Sequence, residues 1–247
     1  MINVLNLSKQ FGDFKAVDSL TFKVPKGAIC AFLGPNGAGK STTVKMLTGL
    51  LGPTSGAATV CGLDSAAGSV DLKRRIGVLP ENLGLFDDLT VLEHLELTGG
   101  IHGLSKQETK SRAEQLLSVL DLEVGRNRYA GQCSHGMRKK TSLAMALLPN
   151  PEVLFLDEPL EAIDPVTSRV MLDVFEAAAN RGVTIFFTSH ILPMVEEIAT
   201  QIMIIRGGRL QFNSPADQLP KKLEALYFEL AEARKHADLV WLGGPAS

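Results

Sequence analysis

Apolar residues follow two different rules along this chain. At the front they come in short stretches broken by turn residues. Ile2, Val4, Leu5 and Leu7 mark a strand over 2–7, Phe11-Gly12-Asp13-Phe14 reads as a turn, and Ala16-Val17 to Phe22-Lys23-Val24 reads as a second strand that stops at Pro25-Lys26-Gly27. Ala57 to Gly62 has the same character, so these pieces predict an antiparallel sheet. Four later runs are continuously apolar: 29–33, 76–79, 153–156 and 183–187. Unbroken apolarity at strand length means burial on both faces, as in a parallel sheet covered by helices. Each run ends in glycine or polar residues, at Gly34, at Pro80-Glu81, at Asp157-Glu158 and at Thr188-Ser189-His190. Ligands of open α/β sheets sit beyond the carboxyl ends of the strands, so four distant stretches are expected to converge on one site.

Between Asn82 and Pro149 the pattern turns helical. Thr90-Val91-Leu92-Glu93 and Ser105-Lys106-Gln107-Glu108 both have the capping-box form, a hydroxyl followed three residues later by an acid. Ala113, Leu116, Leu117 and Leu120 then fall at helix spacing. Asp164-Pro165 predicts an N-cap and first helical residue, with the helix running to Asn180 before Gly182. Near the end, 202–205 and 209–212 flank Gly207-Gly208 as a hairpin, a helix is expected from Pro220 to His236, and Trp241 to Ser247 reads as a frayed tail.

A chain of 247 residues suits one large α/β domain or two small ones, and 45% apolar with 21% charged residues describes a folded protein, not a disordered one. A formal charge of −2 argues against a strong general affinity for nucleic acid, and no nucleic-acid partner is expected. The three cysteines, Cys30, Cys61 and Cys133, are odd in number and far apart, which fits a reducing compartment and gives no zinc spacing. No apolar run approaches the roughly 20 residues of a membrane span, and Met1-Ile2-Asn3-Val4 opens a strand, not a signal peptide. The expected location is the cytoplasm, with any membrane role exercised through a partner.

The chemistry starts at Gly34-Pro35-Asn36-Gly37-Ala38-Gly39-Lys40-Ser41-Thr42, which stands between an apolar strand and a helical pattern from Thr43 to Leu47. In such a P-loop, successive backbone N–H groups wrap a polyphosphate, and glycines are needed because a Cβ would block the approach. Lys40 reaches the β- and γ-phosphates, and Ser41 binds Mg²⁺. Asp157-Glu158 supplies two carboxylates at a strand end, one for the Mg²⁺ shell and one to take a proton from an attacking water.

Taken in order, the P-loop, Glu81, Ser134-His135-Gly136, Leu156-Asp157-Glu158-Pro159, Ile163-Asp164 and Ser189-His190 resemble the ATP-binding subunit of an ABC transporter, over about residues 2 to 215. The resemblance implies an α/β fold with a RecA-like parallel core, an N-terminal antiparallel β subdomain and an inserted α-helical subdomain. It divides a single domain of 1–247 into 1–81 (β subdomain and P-loop core), 82–149 (helical subdomain), 150–215 (core continued) and 216–247 (C-terminal helix and tail). It also implies ATP and Mg²⁺ as ligands and a second ATPase subunit, identical or not, with two ATP molecules sandwiched between the two. Gly34 to Thr42 then holds ATP from one side. Cys133-Ser134-His135-Gly136-Met137 stands where the family has Leu-Ser-Gly-Gly-Gln, departing at three positions. Ser134 caps a helix whose positive end faces the γ-phosphate across the dimer, and Gly136 allows close approach.

The remaining roles come from the same resemblance. Glu81 replaces a glutamine and ligates Mg²⁺ or orients water. Phe11 stacks on adenine with Val17 beneath it, although without the family match Phe11 reads equally well as a core residue. Glu158 is the general base, His190 contacts the γ-phosphate, and Asp164 communicates between the two sites. The apolar loop Asn82 to Leu89 receives a helix of a membrane permease, docking near Leu83–Leu89 on the inner face of the membrane. Arg138-Lys139-Lys140 reads as a solvated face. The implied activity is ATP hydrolysis powering a transporter, most similar to exporters of the drug or antibiotic type. The alternatives are a soluble ABC-type ATPase of translation, repair or cluster assembly, and a weakly hydrolysing regulatory module.

Overall fold

The computed structural model describes residues 1–231. The front of the chain forms β1 (Ile2–Phe11) and β2 (Phe14–Val24), followed by β3 (Ile29–Leu33), α1 (Lys40–Leu47), β4 (Ser55–Val60) and β5 (Leu63–Asp64). β1 pairs with both β2 and β4, giving an antiparallel sheet in the order β2-β1-β4-β5. Register shifts between Val4 and Lys9 let Ile2, Val4 and Leu7 all stay buried although their spacing is uneven.

The chain continues through α2 (Val70–Arg75), β6 (Ile76–Leu79), α3 (Val91–Ile101), α4 (Lys106–Val119), α5 (His135–Leu147), β7 (Val153–Leu156), α6 (Pro165–Asn180) and β8 (Thr184–Ser189). It ends with α7 (Leu192–Ile198), β9 (Gln201–Arg206), β10 (Arg209–Pro215) and α8 (Leu223–Ala231). The central sheet runs β10-β9-β3-β8-β7-β6, with β10 antiparallel at the edge and the other pairs parallel. The four continuous apolar runs are its strands β3, β6, β7 and β8. The 202–212 hairpin exists, but β9 also pairs in parallel with β3, from Cys30↔Gln201 to Leu33↔Ile204, so the hairpin extends the central sheet.

Alternation within these strands feeds two cores. Cys30, Phe32, Val153, Phe155 and Phe186 face the antiparallel sheet and pack with Val4, Phe22 and Met46. Ile29, Ala31, Leu33, Leu154, Leu156, Ile185 and Phe187 face the helices, against Leu95, Leu117, Leu143, Leu172 and Phe175. Burial of each such side chain stabilises by about 1.5–3 kcal/mol, which is why both faces of every central strand are apolar. At Gly77 a Cβ would lie 2.1 Å from Ala146 O, so glycine lets α5 seat directly on β6.

The helical insert is tied at its helix starts. Thr90 N–H donates to Glu93 Oε2 at 2.7 Å and Glu93 N–H to Thr90 Oγ1 at 3.2 Å, and Ser105 with Glu108 repeats the device at 3.1 and 3.2 Å. Asp164 caps α6 with Pro165 in its first turn. The expected C-terminal helix begins at Leu223, and its part beyond Ala231 lies outside the described residues, as does the tail from Trp241. No helix among the described residues is long and apolar enough to cross a membrane.

Candidate nucleotide site

The loop between β3 and α1 closes over the first turn of the helix. Gly39 has φ 104°, and a Cβ there would lie 2.5 Å from Ala16 O, so only glycine brings the loop this close to β2. α1 begins at Lys40, leaving its first N–H groups free for an anion. Lys40 is buried; its Nζ donates to Gly34 O at 2.8 Å and to Pro35 O at 3.4 Å, and stands 3.3 Å from Glu158 Oε1. A cavity of about 360 Å³ opens beside it, lined by Pro35, Asn36, Gly37, Ala38, Gly39, Lys40, Ser41 and Thr42, and across from them by Phe14, Ala16, Glu81, Glu158 and Glu161.

β7 and β8 deliver the opposite wall. Thr188 Oγ1 donates to Asp157 Oδ1 at 2.6 Å and accepts from Glu158 N–H at 2.8 Å, so one buried hydroxyl ties the two acidic residues together. Glu158 has φ 47°, an uncommon conformation for a non-glycine residue. From there its Oε2 stands 3.0 Å from His190 Nδ1, while its buried Oε1 has no hydrogen-bond partner although Lys40 is within ion-pair range. Glu81 is exposed on the rim, and Asp157 and Glu81 border an adjoining pocket. Among the described residues no three His, Cys, Asp or Glu side chains cluster as a self-sufficient metal cage. Mg²⁺ does not need one, since it takes one or two protein carboxylates and fills its shell with water and phosphate. Ser41, the buried Asp157 and Glu81, with an unsatisfied Glu158 oxygen beside them, are a donor set that fits it.

Phe11 lies off the cavity, half exposed, with Lys9 Nζ 5.2 Å above its ring. Phe14 and Ala16, two apart on β2 and therefore on one face, line the cavity instead. Val17 is wholly buried and packs beneath the loop at Gly39, without lining the cavity.

Ser134, Gly136 and Asp164 lie outside this cavity as well. Ser134 caps α5, accepting from Met137 N–H at 3.3 Å, and Ser134 and His135 are exposed. Gly136 stands against Thr167, whose hydroxyl donates to Asp164 Oδ2 at 2.6 Å and whose N–H donates to Oδ1 at 2.9 Å. These bonds hold the Asp164 carboxyl below the usual carboxylate range. Met137 turns away from the cap, its methyl against Gly125 and its sulfur accepting from Arg128 at 3.9 Å.

The charge run 138–140 is not a solvated face. Arg138 donates to Asp87 Oδ1 at 2.7 Å and to Ala130 O at 2.8 Å. Lys139 and Lys140 are 4% and 7% exposed, and both end on main-chain carbonyls. Long stems buried among apolar neighbours with the heads carried to carbonyls explain how lysines occupy this face of α5.

In the loop after Glu81, Leu83 is buried and Leu85 packs on the core, while Phe86 is exposed and its N–H donates to His94 Nε2 at 3.0 Å. At Pro80, where this loop begins, an apolar groove of about 560 Å³ opens, lined by Leu50, Val70 and Ile101 with Lys73, Arg74 and His102 at its margin. Sequence reasoning missed this groove because its walls come from five separate places: the end of α1, α2, β6, α3 and the end of α5.

A family model described as "ABC transporter" matches residues 17–161. The chain is similar to the "Bacitracin transport ATP-binding protein BcrA" of Bacillus licheniformis, 36% identical over 237 residues that cover 95% of this chain and 76% of that one. It is similar to the "Daunorubicin resistance ATP-binding protein DrrA3" of Streptomyces coeruleorubidus, 36% identical over 218 residues, 88% of this chain and 69% of that one. A solved structure described as "Structure of ATP binding subunit of ABC transporter" superposes with a TM-score of 0.86 at 31% identity, covering 93% of this chain and 99% of that chain. With a P-loop, a buried acidic strand end and a capped α5 in the expected order, the chain belongs to the ABC transporter family, as an ATP-binding, ATP-hydrolysing subunit.

Proposed function

We propose that this subunit powers export of an antibiotic-like or drug-like molecule through a separate membrane permease, working as a pair of ATPase subunits with two ATP molecules between them. The observation that carries the catalytic half is the shared cavity: Lys40, Ser41 and the Glu158 carboxylate line one space, and His190 stands 3.0 Å from that carboxylate. The names of the antibiotic-transport and drug-resistance relatives support the export half.

In this reading Gly34 to Thr42 wraps the phosphates with backbone N–H groups, Lys40 neutralises the β- and γ-phosphates, and Phe14 supplies the aromatic face for the base. Ser41, Asp157 and Glu81 would hold Mg²⁺, which supplies positive charge to the phosphate oxygens. Glu158 accepts the proton of the attacking water, and His190 orients that carboxylate through Oε2 and reaches toward the γ-phosphate. Ser134 and Gly136, outside their own chain's cavity, close the partner's site with the N-terminus of α5. The permease docks along Leu83–Leu89, chiefly at the exposed Phe86, and in the groove that starts at Pro80. Lys73 and Arg74 at the groove margin suit an amphipathic helix with an acidic residue facing them.

Glu158→Gln keeps the shape of the side chain and removes the base. It is expected to abolish turnover while trapping an ATP-bound dimer, read by size-exclusion chromatography with ATP and Mg²⁺. A variant that hydrolyses at the normal rate, or stays monomeric, refutes the role of Glu158 or the sandwich. Photo-crosslinking from Phe86 tests the partner: capture of ribosomes or DNA in place of a membrane protein refutes the transport reading.

A further inference from the structure

Lys139 is a buried ammonium with no part in the chemistry described above. It sits on α5 at 4% exposure, and its Nζ donates to Glu158 O at 2.7 Å and to Glu161 O at 2.6 Å. Both acceptors are main-chain carbonyls of the turn that follows β7. That turn contains two non-glycine residues in the left-handed region, Glu158 at φ 47° and Ala162 at φ 55°, one at each end of the gripped segment. Each such residue is strained and persists only where its surroundings over-determine it. Thr188 fixes the N–H side of Glu158 at 2.8 Å, and Lys139 fixes the carbonyl side. Burial lowers the pKa of the Lys139 ammonium, opposed by the nearby Glu161 and Glu158 charges, so the lysine is held here at a cost in desolvation.

We propose that Lys139 is a positioning residue for ATP hydrolysis: from α5 it holds the Glu158–Ala162 turn in its left-handed conformation and thereby keeps the Glu158 carboxylate aimed at Lys40 and His190. The proposal rests on the reading of Glu158 as the base. It makes α5 serve two sites at once, presenting Ser134 toward the partner's nucleotide at its N-terminus and setting the base of its own chain one turn further on. The sequence hid this role because Arg138-Lys139-Lys140 looks like any solvated run.

The test compares Lys139→Met, Lys139→Gln and Glu158→Gln in the full chain, with steady-state ATPase kinetics, ATP affinity and thermal melting. Methionine fills the volume without a donor, and glutamine reaches with one amide. The expected result for Lys139→Met is a kcat loss of about tenfold or more with ATP affinity unchanged, because misplacing a reacting group by about 1 Å costs up to about a hundredfold. Lys139→Gln should lose about threefold and carries the test if the methionine variant does not fold. A Lys139 variant with wild-type kcat, or a loss confined to ATP affinity, overturns the proposal. Wild-type turnover in Glu158→Gln alone overturns the reading of the base instead, so the two failures are distinguishable.

Discussion

Thr188→Val tests the join between β7 and β8 that holds both acidic residues. Thr188 is wholly buried, and its hydroxyl donates to Asp157 Oδ1 at 2.6 Å and accepts from Glu158 N–H at 2.8 Å. Valine matches the shape and deletes both bonds. A hydrogen bond to a charged group contributes about 1.5–3 kcal/mol, and a buried N–H left without a partner costs about 1–3 kcal/mol. Neither Asp157, at 4% exposure, nor the Glu158 main chain can recover these bonds from bulk water without opening the sheet end. The two contributions share one hydroxyl and are not fully additive, so the expected destabilisation is about 3–5 kcal/mol. At a urea m-value of about 3 kcal/mol/M, this lowers the unfolding midpoint by about 1–1.7 M. Thr188→Ser keeps the hydroxyl and loses a methyl, so it should give back most of the midpoint. ATPase assays on the same proteins should show kcat reduced in Thr188→Val well beyond Thr188→Ser. A midpoint within about 0.3 M of wild type, with normal kcat, would refute the argument that this hydroxyl ties the two carboxylate residues together.

Two further outcomes separate the structure from simpler readings. Phe14→Ala should weaken ATP binding about fivefold to tenfold, corresponding to the loss of about 1–1.5 kcal/mol of aromatic stacking, whereas Phe11→Ala should change it less than about twofold, both measured by isothermal titration calorimetry. The capping carboxylates Glu93 and Glu108 are held below their ordinary value of 4.5 by bonds from Thr90 and Ser105. Their folded-state pKa values are depressed, so their contribution is fully present above the unfolded value and is lost as pH falls through the folded one. Denaturant unfolding from pH 6 down to about pH 3 should therefore show an acid decline that becomes shallower in the Glu93→Gln, Glu108→Gln double variant.

The elements that could be read from the chain were those whose signal is local. Runs such as Ile29 to Leu33 announced two-sided burial, and the structure places them at the centre of the sheet between two cores. The capping boxes at Thr90 and Ser105 were legible for the same reason, since all partners lie within three residues. What escaped depends on distant pairing or on very short elements. The hairpin at Gly207-Gly208 drew attention to β10, while the parallel pairing of β9 with β3 spans some 170 residues and leaves no local mark. α2 offers only Val70 and Leu72 as apolar positions, too few to display a helical period. In the site, the order of motifs pointed to the P-loop, Asp157, Glu158 and His190, and the structure places these residues near one another. Which aromatic faces the cavity depended on where β2 begins, and a turn containing Phe11 and Phe14 does not reveal that.

The two links that α5 makes with consecutive residues differ in strength, and the difference has a mechanical consequence for the proposed coupling. Successive residues on a helix point about 100° apart, so Arg138 and Lys139 leave α5 on different faces. Arg138 reaches Asp87, in the loop assigned to the permease, but that carboxylate is 73% exposed, and exposed pairs contribute at most about 1 kcal/mol. Lys139, itself buried, reaches the Glu158 turn through two part-buried bonds to main-chain carbonyls. Seated on β6 through Gly77, α5 has little freedom to tilt against the sheet. A load applied at Phe86 therefore breaks or re-forms the Asp87–Arg138 pair before it disturbs the turn that carries the base. If the permease docks at this loop as proposed, the loop can follow it while the hydrolytic geometry stays fixed, and only a displacement large enough to move α5 as a body reaches Glu158 and, in the proposed dimer, the partner's nucleotide through Ser134.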